Sequence, residues 1–173
     1  MPQIVITAIG PDKPGLVGEL TGHLSKAGAN ILDSRMINLR GQFAVIMLAE
    51  VPEASCAAVK ASLPRDMATS GLKIDILDAH AGKPPILGVP YRIKTYSMDQ
   101  PGLVHKISDA LRVHGVNIEE LSTRQESAAF AGTPLFIMEF RITVPPEISP
   151  RKLRADLEKA CESLNMDLDM EPG

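Results

Sequence analysis

The chain has 173 residues and 18 Lys and Arg against 21 Asp and Glu, a formal net charge of −3, and lacks the basic stripe expected of a nucleic-acid surface. No apolar run approaches the roughly 20 residues that span a bilayer, and the start Met1-Pro2-Gln3-Ile4 has neither the charged nor the apolar region of a secretion signal. These features predict a soluble, cytoplasmic protein with no membrane partner, in which Cys56 and Cys161 stay unpaired and reduced.

Residues 4–9 form a short β-branched run that ends at Gly10-Pro11 and reads as a buried strand. Leu16, Val17, Leu20, Leu24 and Ala27 then recur at helical spacing, and Gly28 stands where a C-terminal cap belongs. Residues 30–39 and 43–51 are apolar runs parted by Arg40-Gly41-Gln42, a hairpin signal. Cys56, Val59 and Leu63 predict a short helix stopped by Pro64, and Leu72-Lys73-Ile74-Asp75-Ile76 alternates as a last strand.

The same order returns. Residues 91–98 read as a strand, and Leu103, Val104, Ile107 and Leu111 mark a helix closed by Gly115. Residues 117–125 and 135–144 read as paired strands. Ser149-Pro150 opens a helix with a capping hydroxyl and a proline in the first turn, and Leu153, Leu157, Ala160 and Leu164 give it an apolar face. Met166-Asp167-Leu168-Asp169-Met170 alternates as the final strand. The methionines Met47, Met138, Met166 and Met170 read as core filler.

The two halves are a repeat. Asp12-Lys13-Pro14-Gly15-Leu16-Val17 returns 87 positions later as Asp99-Gln100-Pro101-Gly102-Leu103-Val104, and nine of the twenty positions from Asp12 to Ile31 are identical to their counterparts. This predicts two domains, at 1–78 and 91–173, joined by a Gly/Pro-rich connector over 79–90. The second hairpin is six residues longer, with the excess around residues 126–133. The order βαββαβ predicts an α+β fold of two ferredoxin-like units, each an antiparallel four-stranded sheet with both helices on one face. The bare faces and edge strands of such units predict association within or between chains, and so a homo-oligomer.

The Asp-x-Pro-Gly turn sets backbone N–H groups of a first helical turn beside a carboxylate. The N–H groups favour an anion and the carboxylate accepts from an ammonium, a pairing that suits a free amino acid. Gly15 and Gly102 permit close approach. Asn30 and Asn117 open the following strand at the far end of the helix, so they reach a turn only where units associate, and a shared site would follow. The competing reading is structural: Asp12 and Asp99 cap helices, the Pro-Gly pairs shape turns and the asparagines satisfy backbone. Repetition alone does not separate the two, because duplicated structure repeats as readily as duplicated function.

Catalytic constellations are absent from the sequence. His23, His80, His105 and His114 lack metal-ligand spacing, Glu19 and His23 read as a solvated helix pair, and there is no phosphate loop or nucleophile elbow. The expectation is therefore no enzyme, no cofactor and no metal.

The βαββαβ unit with Asp-x-Pro-Gly-x-Val and a later Gly-x-Asn-Ile resembles the ACT domain, a regulatory module that binds amino acids. The first unit carries it most clearly, in Ile6-Thr7-Ala8-Ile9-Gly10, Asp12-Lys13-Pro14-Gly15, Asn30-Ile31-Leu32-Asp33-Ser34-Arg35, Phe43 and Ile46-Met47-Leu48. Two such units with nothing attached resemble the glycine cleavage system transcriptional repressor family. The resemblance implies a cytoplasmic regulator that senses glycine or a related amino acid and represses through contact with a DNA-binding activator protein, without binding nucleic acid itself. It also implies that Asp12, Gly15, Asn30, Asp99, Gly102 and Asn117 line the ligand site. Gly10 and Ser97 stand where some ACT sites carry histidine. A ligand-free dimerisation module and a regulatory relative of formyltetrahydrofolate deformylase, which the first unit also resembles, are the alternatives.

Overall fold

The computed structural model describes residues 1–79, 87–127 and 134–173. Most of the connector predicted at 79–90, His80 with it, and most of the second hairpin's excess lie outside the described residues. The chain divides into two compact units, Met1–Lys83 and Pro84–Gly173. The first runs β1 (Gln3–Pro11), α1 (Leu16–Lys26), β2 (Asn30–Leu39), β3 (Gln42–Glu50), α2 (Glu53–Asp66) and β4 (Lys73–Asp78). The second runs β5 (Val89–Met98), α3 (Leu103–Val113), β6 (Ile118–Ser127), β7 (Pro134–Val144), α4 (Pro150–Glu162) and β8 (Asp167–Pro172). Both sheets are antiparallel, in the orders β2-β3-β1-β4 and β6-β7-β5-β8, which is the ferredoxin-like α+β arrangement twice over.

Alternation decides which sheet face is covered. Ile4, Ile6 and Ala8 of β1 and Phe43, Val45, Met47 and Ala49 of β3 are buried together with Leu16, Leu20 and Leu24 of α1 and Cys56, Val59 and Leu63 of α2. The α1 stripe is thus the four-residue series Leu16, Leu20, Leu24. Val17, expected on the same face, is 41% exposed, because one step round the helix from Leu16 it has already left the sheet. In the second unit, Ile93, Met138, Phe140 and Ile142 meet Leu103, Ile107, Leu111, Leu153 and Leu157. Met47, Met138, Met166 and Met170 are all buried, Met166 just ahead of β8 rather than within it.

Both first helices close as their glycines predict. Gly28 (φ 74°) and Gly115 (φ 69°) take left-handed backbone. The Gly28 N–H donates to Ser25 O and the Ala29 N–H to Leu24 O, and Gly115 and Val116 repeat the pattern onto Arg112 and Leu111. The β2–β3 turn holds Arg40 (φ 51°) and Gly41 (φ 79°), both in the left-handed region that a two-residue hairpin of matching twist requires. Ser149 caps α4 by accepting from the Lys152 N–H.

Pro64 does not stop α2. The helix continues to Asp66 and tightens into a 3-10 turn, Met67–Ser70, before Gly71 ends it. A proline removes one N–H donor, whereas Leu63 and Met67, four residues apart and 2% and 0% exposed, anchor both sides of it in the core. Among the described residues no helix is long and apolar enough to cross a membrane.

Candidate functional site

The first turn of α1 follows the Asp12-Lys13-Pro14-Gly15 loop, and Gly15 is its N-cap residue, with φ 95° and no side-chain cap. Gly102 stands at the same place on α3 with φ 97°, also without a side-chain cap. A Cβ at either glycine would meet nothing within 4 Å, so the approach to both helix starts is open. Each first turn therefore presents backbone N–H groups with no side-chain cap among the described residues, at a positive helix end.

Asp12 and Asp99 do not cap these helices. The Asp12 Oδ2 accepts from the Asn38 Nδ2 at 2.5 Å, near the end of β2. Asn38 also accepts, through Oδ1, from the Gly41 N–H, and the Asp12 N–H donates to Gly41 O. In the second unit the Asp99 Oδ2 accepts from the Gln125 Nε2, also at 2.5 Å. Each aspartate thus ties its loop to the hairpin side of the sheet, and the capping reading falls. The partners were missed from sequence, although the 87-residue offset that relates Asp12 to Asp99 also relates Asn38 to Gln125, both carboxamides.

Asp12 and Gly15 line one hollow of about 220 Å³ with Leu16, Val17, Met36 and Phe43. Asn30 lines another, of about 420 Å³, on α1 with Thr21, Gly22, Ser25, Ala29 and Ile31. Gly18 borders both. Asn30 pairs with Glu50, and Asn38 with Phe43 near the opposite end of the same strand. One unit therefore brings Asp12 and Gly15 together and holds Asn30 apart, as its topology requires. Asn117 is exposed and precedes β6 rather than beginning it.

Gly10 and Ser97 occupy equivalent places with different consequences. A Cβ at Gly10 would overlap the Gly71 carbonyl oxygen, so in the first unit the chain ahead of β4 closes on β1. In the second, Ser97 and Thr95 are buried on β5, and their hydroxyls have no hydrogen-bond partner among the described residues. There Gln100 Nε2 donates to Leu164 O, holding the loop that precedes β8.

The other polar side chains form ordinary structural pairs. Glu19 and His23 do not pair with each other: Glu19 accepts from the Ser70 hydroxyl, and His23 lies 3.9 Å from Asp66. His114 Nε2 lies 2.9 Å from Asp156 Oδ2, bridging α3 to α4. No group of three metal-ligating side chains occurs among the described residues. Cys56 and Cys161 are free and buried, and burial pushes the Cys161 thiol up to about 11.

Residues 2–76 match the family model of the ACT domain. The chain is 27% identical over 162 residues to the glycine cleavage system transcriptional repressor of Escherichia coli, covering 94% of this chain and 85% of that protein. It is 35% identical over 78 residues to a UPF0237 protein of Methanococcus maripaludis, covering 44% of this chain and 87% of the relative. A crystal structure of an unknown protein from Galdieria sulphuraria superposes with a TM-score of 0.85 at 28% identity, over 99% of this chain and 98% of that one.

Proposed function

The chain belongs to the ACT-domain family as a tandem of two such units, and from that premise we propose that it is an amino-acid-sensing regulator with no catalytic activity of its own. The observation that carries the reading is the pair of open helix starts at Gly15 and Gly102, which have no side-chain cap among the described residues. An amino-acid carboxylate would accept from those N–H groups. Its ammonium would donate to the oxygens of Asp12 or Asp99 or, only where units associate so that a strand start meets a turn, to the carboxamide of Asn30 or Asn117. Asp12 and Asp99 each give one oxygen to a carboxamide, and in this reading the other would accept from the ammonium.

Glycine is the proposed effector, and repression of the glycine cleavage system through contact with a DNA-binding activator protein is the proposed output. Both rest on the similarity to the Escherichia coli repressor and on the implied behaviour of that family. The net charge of −3 fits action through protein contact better than direct binding to nucleic acid. A cytoplasmic location follows from the same role.

Calorimetric titration of the full chain with glycine and the other amino acids tests the reading. Each charge-assisted hydrogen bond contributes about 1.5–3 kcal/mol, so Asn30→Ala or Asn117→Ala should weaken glycine binding by about tenfold or more. Should both variants bind as the parent does, the site assignment is wrong. The bonds from Asn38 and Gln125 to the two aspartates favour a second reading, a purely structural module. A parent that binds no amino acid at millimolar concentration would establish that one.

A further inference from the structure

The duplicated fold supplies its own control for the sheet face that carries no helices. On the first unit that face bears Val5, Thr7 and Ile9 of β1, Ala44, Ile46 and Leu48 of β3, Ile37 of β2 and Leu77 of β4. Register assigns them there, opposite in sense to the buried positions. Ile9, Ile37, Ile46 and Leu77 are 55%, 53%, 49% and 61% exposed. On the second unit most of the equivalent positions are charged: Arg92 stands for Val5, Lys94 for Thr7, Arg124 for Ile37, Glu139 for Ile46, Arg141 for Leu48 and Glu171 for Leu77, while Tyr96 stands for Ile9 and the buried Ile137 for Ala44. Among the charged ones an ion-pair network forms, with Lys94 and Arg124 on Glu139 and Arg141 on Glu120. The same fold therefore forms with a largely charged open face, and folding alone does not account for the exposed apolar one.

The charges around the apolar face say what it fits. Strand register puts Arg35, Ile46, Thr7 and Asp75 in one row across the four strands, a cation at one end and an anion at the other. Arg35 is held on this face by the Asp33 carboxylate. A two-fold axis parallel to the strands, midway between β3 and β1, lays β2 of one copy over β4 of the other. It sets each Arg35 against the other copy's Asp75, stacks Leu48 on Val5, Ala44 on Ile9 and Ile46 on Thr7, and at the edges lays Ile37 over Lys73 and Asp33, which Arg35 holds, over Leu77. Aligned sheets packed about 10 Å apart accommodate such contacts. An isologous interface demands self-complementarity of this kind.

We propose that the open sheet face of the first unit docks a second copy of this chain, sheet on sheet, closed at both edges by reciprocal Arg35–Asp75 pairs. This association is independent of amino-acid binding. Sedimentation equilibrium of the full chain tests it, with circular dichroism to verify that each variant folds. Ile46→Glu installs the residue that the second unit already carries at that position, so the fold tolerates it, and the dimer dissociation constant should rise at least about tenfold. Arg35→Glu and Asp75→Arg should each weaken the dimer, and the two together should restore it to within about threefold of the parent. A parent that stays monomeric at about 100 μM, a dimer indifferent to Ile46→Glu, or a charge swap without recovery would each overturn the proposal. A monomer that instead binds a different protein through this face would overturn it too.

Discussion

The Asp12 carboxylate lies 2.5 Å from the Asn38 carboxamide, joining the loop before α1 to the end of β2 across 26 residues of sequence. The same bond recurs between Asp99 and Gln125. Conversion of the amide from Asn to Gln between units keeps the donor and changes only its reach, so what the repeat preserves is the tie. Both partners are exposed, and a hydrogen bond to a charged group in that setting contributes at the lower end of its range. In a double-mutant cycle with Asp12→Ala and Asn38→Ala, the expected coupling is about 0.5–1.5 kcal/mol by urea denaturation. Additive single effects would show that the bond does not hold the loop.

Gly10→Ser exchanges the first unit's residue for the one at the equivalent place in the second, Ser97. The exchange should fail, because the new Cβ would overlap the backbone oxygen of Gly71, and backbone yields less readily than a side chain. The expected loss is about 1–3 kcal/mol or more in the chemical denaturation of the first unit.

Thr95→Val should stabilise the second unit. The threonine hydroxyl is buried with no partner among the described residues, and valine keeps the shape while removing the desolvated group. A gain of about 1 kcal/mol in the denaturation midpoint is expected. A loss would show that the hydroxyl has a partner in solution, such as a bound water.

The Cys161 thiol should be inert in the folded protein. It is 2% exposed, and burial raises its ionisation to about 11, so very little thiolate exists at pH 8. An aromatic disulfide reagent at that pH should modify Cys161 only after denaturation, at a site verified by mass spectrometry.

Glu139 should make the second unit acid-sensitive. The guanidinium of Arg124, with Lys94 beside it, holds its carboxyl below the ordinary value of 4.5. A carboxylate depressed on folding contributes stability that is fully present above its unfolded value and is lost as the pH falls through the folded one. The difference in denaturation midpoint between the parent and Glu139→Gln should therefore be largest near neutrality and vanish in acid below the usual carboxylate range. A difference that persists unchanged into strong acid would remove the ionised pair as its cause.

Local pattern by itself determined the two units, the βαββαβ order, the glycine closures of α1 and α3, the Arg40-Gly41 turn and the Ser149 cap. Each depends on residues within about one turn or one strand of each other, where side-chain spacing and backbone preference act directly. The tertiary structure decided the rest. Asp12 found its partner on the hairpin because strand pairing, and not helix capping, brings an acceptor and a carboxamide together. α2 ran past Pro64 because Leu63 and Met67 are buried on the sheet, an energy that no local rule contains. The apolar character of Ile46 and Ile9 was plain in the sequence. Their place on a face left open, against Glu139 and Tyr96 in the second unit, emerged only when register assigned every residue a side.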